Sequence, residues 1–398
     1  MKILFLTPRF PYPLDGGTNL RNFRLIQSAA EEHEVHLLSL LDRPIRPPDM
    51  EPVEARCQRV ELYPAPNHSP FRRLTTTLGS RLPDMAYRCW SARLANGLRP
   101  LLQQERYDLI QVEGIEMARY LPLCRGARRV FDDHNVEHLL QRRAYQVDRA
   151  HPGRWPKAAY SLIQSEKLAR FERAACRLAD CVLAVSPEDR EALAALEPSG
   201  RYSVVPNAID TNAYPPRAER QREPCLLFTG TLDFRPNVDA VEWFLDEVFP
   251  LVRRTCPEIR ALVVGRGPGP GLVARCQHDP KIAVTGPVES LEPYWQRASI
   301  YVLPMRSGGG VRFKALEAMA AGVPIVSTRL GMEGIAAEAD THYLMADTAE
   351  GFAAAIQSLL GKPELGARLA SEARRLVAER HDWRAVAPSL LAVYRELA

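Results

Sequence analysis

Apolar residues in this chain fall into short unbroken runs, separated by stretches in which they recur at helical spacing. Lys2 to Thr7, Val35 to Leu41, Tyr107 to Val112, Arg129 to Phe131, Cys181 to Val185 and Tyr202 to Val205 read as buried strands. A second series comprises Cys225 to Thr229, Arg260 to Val264, Lys281 to Thr285, Ile300 to Leu303 and Ile325 to Ser327. Runs without polar alternation belong to strands covered on both faces, so strands of this kind alternating with helices predict parallel α/β sheets. In the helical stretch Ala158 to Leu178 the spacing turns Leu162, Leu168, Phe171 and Ala175 inward, and Ser186 followed by Pro187 is a capped helix start. Pro363 to Ala398 reads as helical throughout, with Trp383, Val386, Leu390, Val393 and Tyr394 at helical spacing. Pro44, Pro47, Pro48, Pro52, Pro64 and Pro66 are dense enough to predict an irregular connection.

Length turns two series of strands into two domains. At 398 residues the chain exceeds the about 250–300 residues at which single cores stop growing. Thr211 to Glu223, charged and with paired prolines, reads as the linker. The content of 46% hydrophobic and 25% charged residues is that of a soluble protein. A net charge of +4 is mild, and no zinc-finger or basic-zipper spacing appears, so nucleic acid is not an expected partner. No apolar run approaches the roughly 18–20 residues that span a bilayer. Ile3 to Leu6 is cut off by Pro8, too short for a signal-peptide core, and the expected location is cytoplasmic. The eight cysteines contain no C-x-x-C pair, which predicts reduced thiols, and neither a metal nor a cofactor is expected. Between Phe71 and Arg106, basic residues including Arg72, Arg73, Arg81 and Arg88 interleave with apolar ones. Two readings stay open there: solvated helices packed on the sheet, or a peripheral contact with an anionic membrane surface on its inner face.

Candidate chemistry concentrates in Pro304 to Thr328. The strand Ile300 to Leu303 opens into Gly308, Gly309 and Gly310, then into a helical pattern carrying Val311, Leu316 and Met319. The first turn of a helix has unpaired N–H groups and partial positive charge, and glycine lets a phosphate approach that backbone. Arg312 and Lys314 add full charges beside it. Glu317 lies past the expected phosphate, where a carboxylate serves better as acceptor for neutral hydroxyls such as a ribose diol. A second paired glycine, Gly16-Gly17, stands between the first strand and first helix; its spacing is not the dinucleotide-binding G-x-G-x-x-G, and a tight turn and a ligand loop are equal readings.

Gly308 to Ala320 resembles the nucleotide-sugar loop of the family-four glycosyltransferases, in a subgroup with three glycines. Glu317 matches the second of that family's paired glutamates, and Gly309 occupies the place of the first. Asp132 to Glu137 and Pro206-Asn207-Ala208-Ile209-Asp210 extend the resemblance. It implies the GT-B fold: two Rossmann-like, doubly wound α/β domains facing each other across a cleft. Their extents would be 1–209 on the acceptor side and 210–380 for the nucleotide sugar, with 381–398 as a helix crossing back, marked by His381-Asp382-Trp383. It further implies His134 near the donor sugar, with His138 as the structural one of the two histidines. Gly16 and Gly17 would face the donor, Arg235 would reach its diphosphate, and the segment from Val284 would read its base through the backbone. Asn207 and Asp210 either line the cleft or shape the turn.

The activity so implied is metal-independent transfer of a sugar, with retained configuration, from a UDP- or GDP-linked donor to a glycan or lipid-linked glycan in cell-surface polysaccharide synthesis. Arg235, Arg312, Lys314 and the amides of Gly309 to Val311 would stabilise the departing diphosphate. Two rivals make different predictions. A sugar-nucleotide epimerase of the same fold forms product without acceptor, and a non-catalytic sugar-nucleotide-binding partner in a polysaccharide assembly complex binds donor without turnover.

Overall fold

Successive side chains of β1 (Lys2–Thr7) point to opposite faces, so Ile3 and Phe5 enter one core while Leu4 and Leu6 enter another. All four are fully buried, which is why the strand shows no polar alternation. The computed structural model describes residues 1–67, 75–77, 79–215 and 224–398. They form two units, Met1–Ala208 with Trp383–Ala398, and Ile209–Asp382.

In the first unit β1 is joined by β2 (Glu34–Leu41), β3 (Arg59–Pro64), β4 (Leu109–Glu113), β5 (Arg128–Asp133), β6 (Cys181–Ala184) and β7 (Tyr202–Val204). Among the described residues these make a parallel sheet in the order β3-β2-β1-β4-β5-β6-β7. The chain order reverses direction between β1 and β4, and in such sheets ligands bind at the carboxyl ends beside that reversal. The helix Gly17–Ala29 covers one face together with the C-terminal helix Trp383–Leu397. That last helix buries Trp383, Val386, Leu390, Leu391, Val393, Tyr394 and Leu397. At roughly 1.5–3 kcal/mol for each fully buried large apolar side chain, this is a strongly anchored part of the first core.

The second unit repeats the plan with β8 (Cys225–Thr229), β9 (Arg260–Val264), β10 (Ile282–Val284), β11 (Ile300–Leu303), β12 (Ile325–Ser327) and β13 (Leu344–Met345), parallel in the order β10-β9-β8-β11-β12-β13. Its reversal lies between β8 and β11. The two ends of this unit are tied together: Ile209 N–H donates to His381 O at 2.8 Å, and Thr211 donates through N and Oγ1 to Asp382 Oδ2 at 3.0 and 2.5 Å.

Several expectations need correction. The proline-rich stretch is irregular only in part: Pro44 and Pro66 lie outside any helix or strand, but Pro47 and Pro48 open a helix, Pro47–Glu54, where missing N–H groups cost nothing, and Pro64 ends the edge strand β3. The last helical stretch is two helices, Pro363–Arg380 and Trp383–Leu397, broken at His381-Asp382 by the ties just described. Leu162 faces outward, at 41% exposure. The buried side of that helix carries Ser161, Gln164 and Ser165 instead, because Gln164 accepts from Asp84 N–H at 2.8 Å and donates to Thr77 Oγ1 at 3.2 Å. β13 and the helix Ala349–Gly361 were not anticipated. Of the basic stretch 71–106, residues 71–74 and 78, including Arg72 and Arg73, lie outside the described residues, as do 216–223 of the expected linker.

Candidate functional site

In the second unit the chain leaves β11 and passes through Gly308 and Gly310 at φ 95° and 75°, a region that favours glycine, before the helix Phe313–Ala320. The helix starts three residues past the glycines, with Arg312 as its N-cap residue. Val311 and Arg312 are buried, and Arg312 Nη1 donates to Gly310 O at 3.2 Å. A Cβ on Gly308 would lie 3.8 Å from Arg312 Nη2, so the loop folds back over this guanidinium.

Lys314, half-buried, donates through Nζ to Asn237 Oδ1 at 2.7 Å and sits 4.4 Å from the centre of the Phe228 ring. Asn237 Nδ2 in turn donates to Thr231 O at 2.8 Å, which fastens the loop after β8 to the lysine. Gly230 closes this arrangement: a side chain there would meet Asn237 Nδ2 and Lys314 Nζ, each at 2.8 Å. Behind it, Leu232 N–H donates to Arg266 O at 2.7 Å, so the glycine- and proline-rich stretch after β9 braces the same loop. Arg235 is exposed at the first position of the next helix, Arg235–Trp243.

Burial pushes the Lys314 ammonium down to about 7, reinforced by the like charge of Arg312 and opposed by Glu317. Burial pushes the Glu317 carboxyl up to about 7, against a hydrogen bond from Tyr214 and the charge of Lys314. The second unit therefore brings Gly230, Asn237, the three glycines, Arg312, Lys314 and Glu317 together beside its reversal. Val284 ends β10, at the sheet edge, with β9 and β8 between it and β11.

In the first unit Gly16 is the extended N-cap residue of the helix Gly17–Ala29, and nothing lies within 4 Å of where its Cβ would be. One turn later Arg21 is buried and forks onto Asp132, Nε to Oδ2 at 2.7 Å and Nη2 to Oδ1 at 2.5 Å. Its Nη1 donates to Val205 O and Asn207 Oδ1, both at 3.0 Å, so Asn207 braces the arginine. Asp210 accepts from Asn212 N–H at 3.2 Å and shapes its turn.

His134 Nε2 lies 3.1 Å from both Asp132 Oδ2 and Glu113 Oε2. Burial opposes charge on the ring, but the two acids outweigh it and raise its pKa to about 9. Burial alone would raise Asp132, yet Arg21 and His134 hold it well below its ordinary value. Burial and the neighbouring Asp132 push Glu113 up to about 7, against the pull of His134. Near neutral pH Arg21 and His134 are charged against the Asp132 carboxylate, while Glu113 is close to its own midpoint. Glu113, Asp132 and His134 carry atoms that bind metals, but the fork of Arg21 already occupies both Asp132 oxygens.

Asp133 points to the other face of β5, as strand alternation requires. There burial, Glu172 and Glu137 hold its carboxyl well above the ordinary value, and among the described residues neither oxygen has a hydrogen-bond partner. His138 pairs with Glu172 and so joins the helices Glu137–Arg149 and Trp155–Leu178. Sequence reasoning missed Arg21, Gln111, Glu113 and Asn237. A signal was present for one of them: Gln111 is a polar position inside the apolar run Tyr107 to Val112 that reads as a buried strand.

Two family models match the chain, one described as Glycosyltransferase Family 4 over residues 15–213 and one as Glycosyl transferases group 1 over residues 223–362. Glycogen synthase of Mycobacterium tuberculosis (strain CDC 1551 / Oshkosh) is 31% identical over 204 residues, 48% of each chain. The chain spans 30% to 56% of the length of the curated relatives it matches. Among solved structures, sucrose-phosphate synthase from Thermosynechococcus elongatus superimposes with a TM-score of 0.75 at 20% identity, over 100% of this chain and 99% of that one. Anabaena Alr3699/HepE, in complex with UDP and glucose, gives 0.66 at 16%, over 99% of each. At these identities the likeness is one of fold.

Proposed function

The chain belongs to glycosyltransferase family 4 and has its GT-B fold, and on that premise we propose that it transfers a sugar, with retention, from a nucleoside-diphosphate donor to a hydroxyl. The observation that carries this reading is the pair Arg312 and Lys314 beside a positive-φ glycine loop at the reversal of the second sheet. Arg235, Arg312, Lys314 and the amides of Gly309 to Val311 hold the diphosphate. Glu317 accepts from the ribose hydroxyls, and the backbone around Val284 meets the base. UDP bound to the structurally similar HepE supports a UDP-linked donor; GDP is the other candidate.

In the transfer the anomeric C–O bond breaks toward the diphosphate, whose oxygen takes the proton of the incoming hydroxyl as the new bond forms on the same face. Fixed charges aimed at the leaving group lower such a barrier by several kcal/mol. The open space above Gly16 supports ligand approach at the first unit. His134, charged up to about pH 9, acts there as a cation and donor toward the reacting sugar, not as a base.

The test is a thermal-shift screen of UDP- and GDP-sugars, followed by transfer of labelled sugar to glycan and lipid-linked acceptors. No shift with any donor and no transfer would remove the proposal. Product without acceptor would favour epimerisation, and binding without turnover would favour the non-catalytic partner. Glu317→Gln should weaken UDP about ten-fold or more in calorimetry, the scale of losing charged hydrogen bonds. An unchanged affinity would take Glu317 off the ribose.

A lipid-linked acceptor in cell-surface polysaccharide synthesis is favoured by one face of the first unit. Trp155, Leu162 and Ile163 are 61%, 41% and 38% exposed on the helix Trp155–Leu178, opposite its buried side. Exposed Arg170 lies on the same helix and Arg154 at its N-cap, and Arg142 and Arg149 on the helix Glu137–Arg149 packed against it, against the exposed acid Glu166. Apolar groups accompanied by cations suit an anionic bilayer surface, each cation adding about 1 kcal/mol. Changing Trp155, Leu162 and Ile163 to Ser should reduce retention on anionic vesicles about ten-fold. Equal sedimentation of variant and parent would end the assignment.

A further inference from the structure

We propose that Tyr394, on the C-terminal helix, is a positioning residue for His134, acting through Gln111 and Glu113. Tyr394 Oη donates to Gln111 Oε1 at 2.5 Å, Gln111 Nε2 donates to Glu113 Oε1 at 2.7 Å, and Glu113 Oε2 meets His134 Nε2 at 3.1 Å. Tyr394, Gln111 and Glu113 are fully buried, so each bond forms away from competing water. Residues Trp383 to Ala398 rejoin the first unit after the whole second unit has been traversed. The ring of His134 is thus wired to a part of the chain 260 positions later (394 − 134).

The direction of the effect follows from the chemistry of the amide. Burial keeps the Tyr394 hydroxyl far above its ordinary pKa, so it remains a donor. A donor at Oε1 fixes the Gln111 amide with its Nε2 toward Glu113. Reversed, the amide would set its oxygen against the carboxylate. Asn22 supports the same acid: with its amide oriented to satisfy both ends, its nitrogen donates to Glu113 Oε2 at 2.9 Å and to Thr18 O at 3.3 Å. Glu113 is easily protonated because burial and Asp132 push it up to about 7. Each donated hydrogen bond favours its charged form, and that charge helps to hold the proton on His134.

The groups facing His134 are Asp132 from β5, Glu113 from β4 and, behind Asp132, Arg21 from the first helix. On the Nδ1 side, Glu116 Oε2 and His134 Nδ1 both approach the position that a Gly114 Cβ would take, at 3.0 and 3.5 Å. With Nε2 held between two acids, the ring presents Nδ1 as its remaining donor. That this donor serves sugar transfer rests on the function proposed above; that Tyr394 governs the ring's protonation does not.

The experiment is an NMR titration of the His134 ring nitrogens in the full chain, for the parent, Tyr394→Phe and Gln111→Met. The parent should keep its proton to about pH 9, and both variants should release it at lower pH. Turnover of Tyr394→Phe should match the parent at pH 6.5 and fall about three- to ten-fold below it at pH 8.5, the scale of one hydrogen bond. A loss that is uniform with pH would mark a merely structural tyrosine. His134 titrating identically in the parent and in whichever variant folds would overturn the proposal. Should the midpoint move while no nucleotide sugar supports transfer, the positioning stands and the transferase reading fails.

Discussion

Replacing Arg312 and Lys314 together with Ala should lower turnover by about 10²–10³-fold, the scale of removing preorganised charge from a leaving group. The Michaelis constant should change far less, because charge on the bridging oxygen develops as the anomeric bond breaks. Steady-state kinetics over donor concentration checks this, and an unchanged kcat would remove both residues from the diphosphate.

The single variant Lys314→Arg separates charge from shape through pH. Burial and Arg312 bring Lys314 down to about 7, so the free protein loses this cation as pH rises through that value. UDP affinity of the parent should therefore fall between pH 6.5 and 8.5. Arginine stays charged over that range, and the same decline should be much smaller in Lys314→Arg. A diphosphate that raises the lysine's pKa on binding would shift the decline upward without changing its sign.

Elements whose identity depends on neighbours in sequence were legible before the fold was known. The strands β1, β8, β9 and β11, buried throughout or in all but their first residue, have the expected ends, because unbroken apolar residues in a parallel sheet carry no rival pattern. β3 was hidden by its prolines and half-buried edge position, and β13 by its two-residue length. In the site, the glycine loop with Arg312, Lys314 and Glu317 could be read together because one loop and one helix carry them. Asn237 could not, since its value lies in meeting Lys314 at a separation of 77 residues. Arg21 and Asp132 are 111 apart, and Gln111 and Tyr394 are 283 apart. Spacing rules act within a turn or a strand, whereas parallel sheets gather distant loops at one edge. Leu162 failed for the opposite reason: a local rule assigned it inward, and hydrogen bonding of Gln164 decided the helix face.

Arg21→Met should destabilise the first unit by about 3–5 kcal/mol, read as a lower urea midpoint for that unit's transition, since it strands a buried carboxylate. Asp132 is held well below its ordinary pKa of 3.8 chiefly by Arg21 against the cost of burial. A depressed acid contributes stability that is present above its unfolded pKa and lost as pH falls through the folded one. The difference between Arg21→Met and the parent should therefore be full where Asp132 is ionised in both, and shrink as falling pH protonates it in Arg21→Met before it does so in the parent. His134 offers only partial relief, because its single Nε2–H is shared between Asp132 and Glu113. Adding Asp132→Leu to Arg21→Met removes the stranded charge, so the double variant should be more stable than Arg21→Met alone. If the single and double variants unfold at the same urea concentration, the penalty arises from lost packing around Arg21, and the charge pair of Arg21 with Asp132 is not what holds the loop after β5 in place.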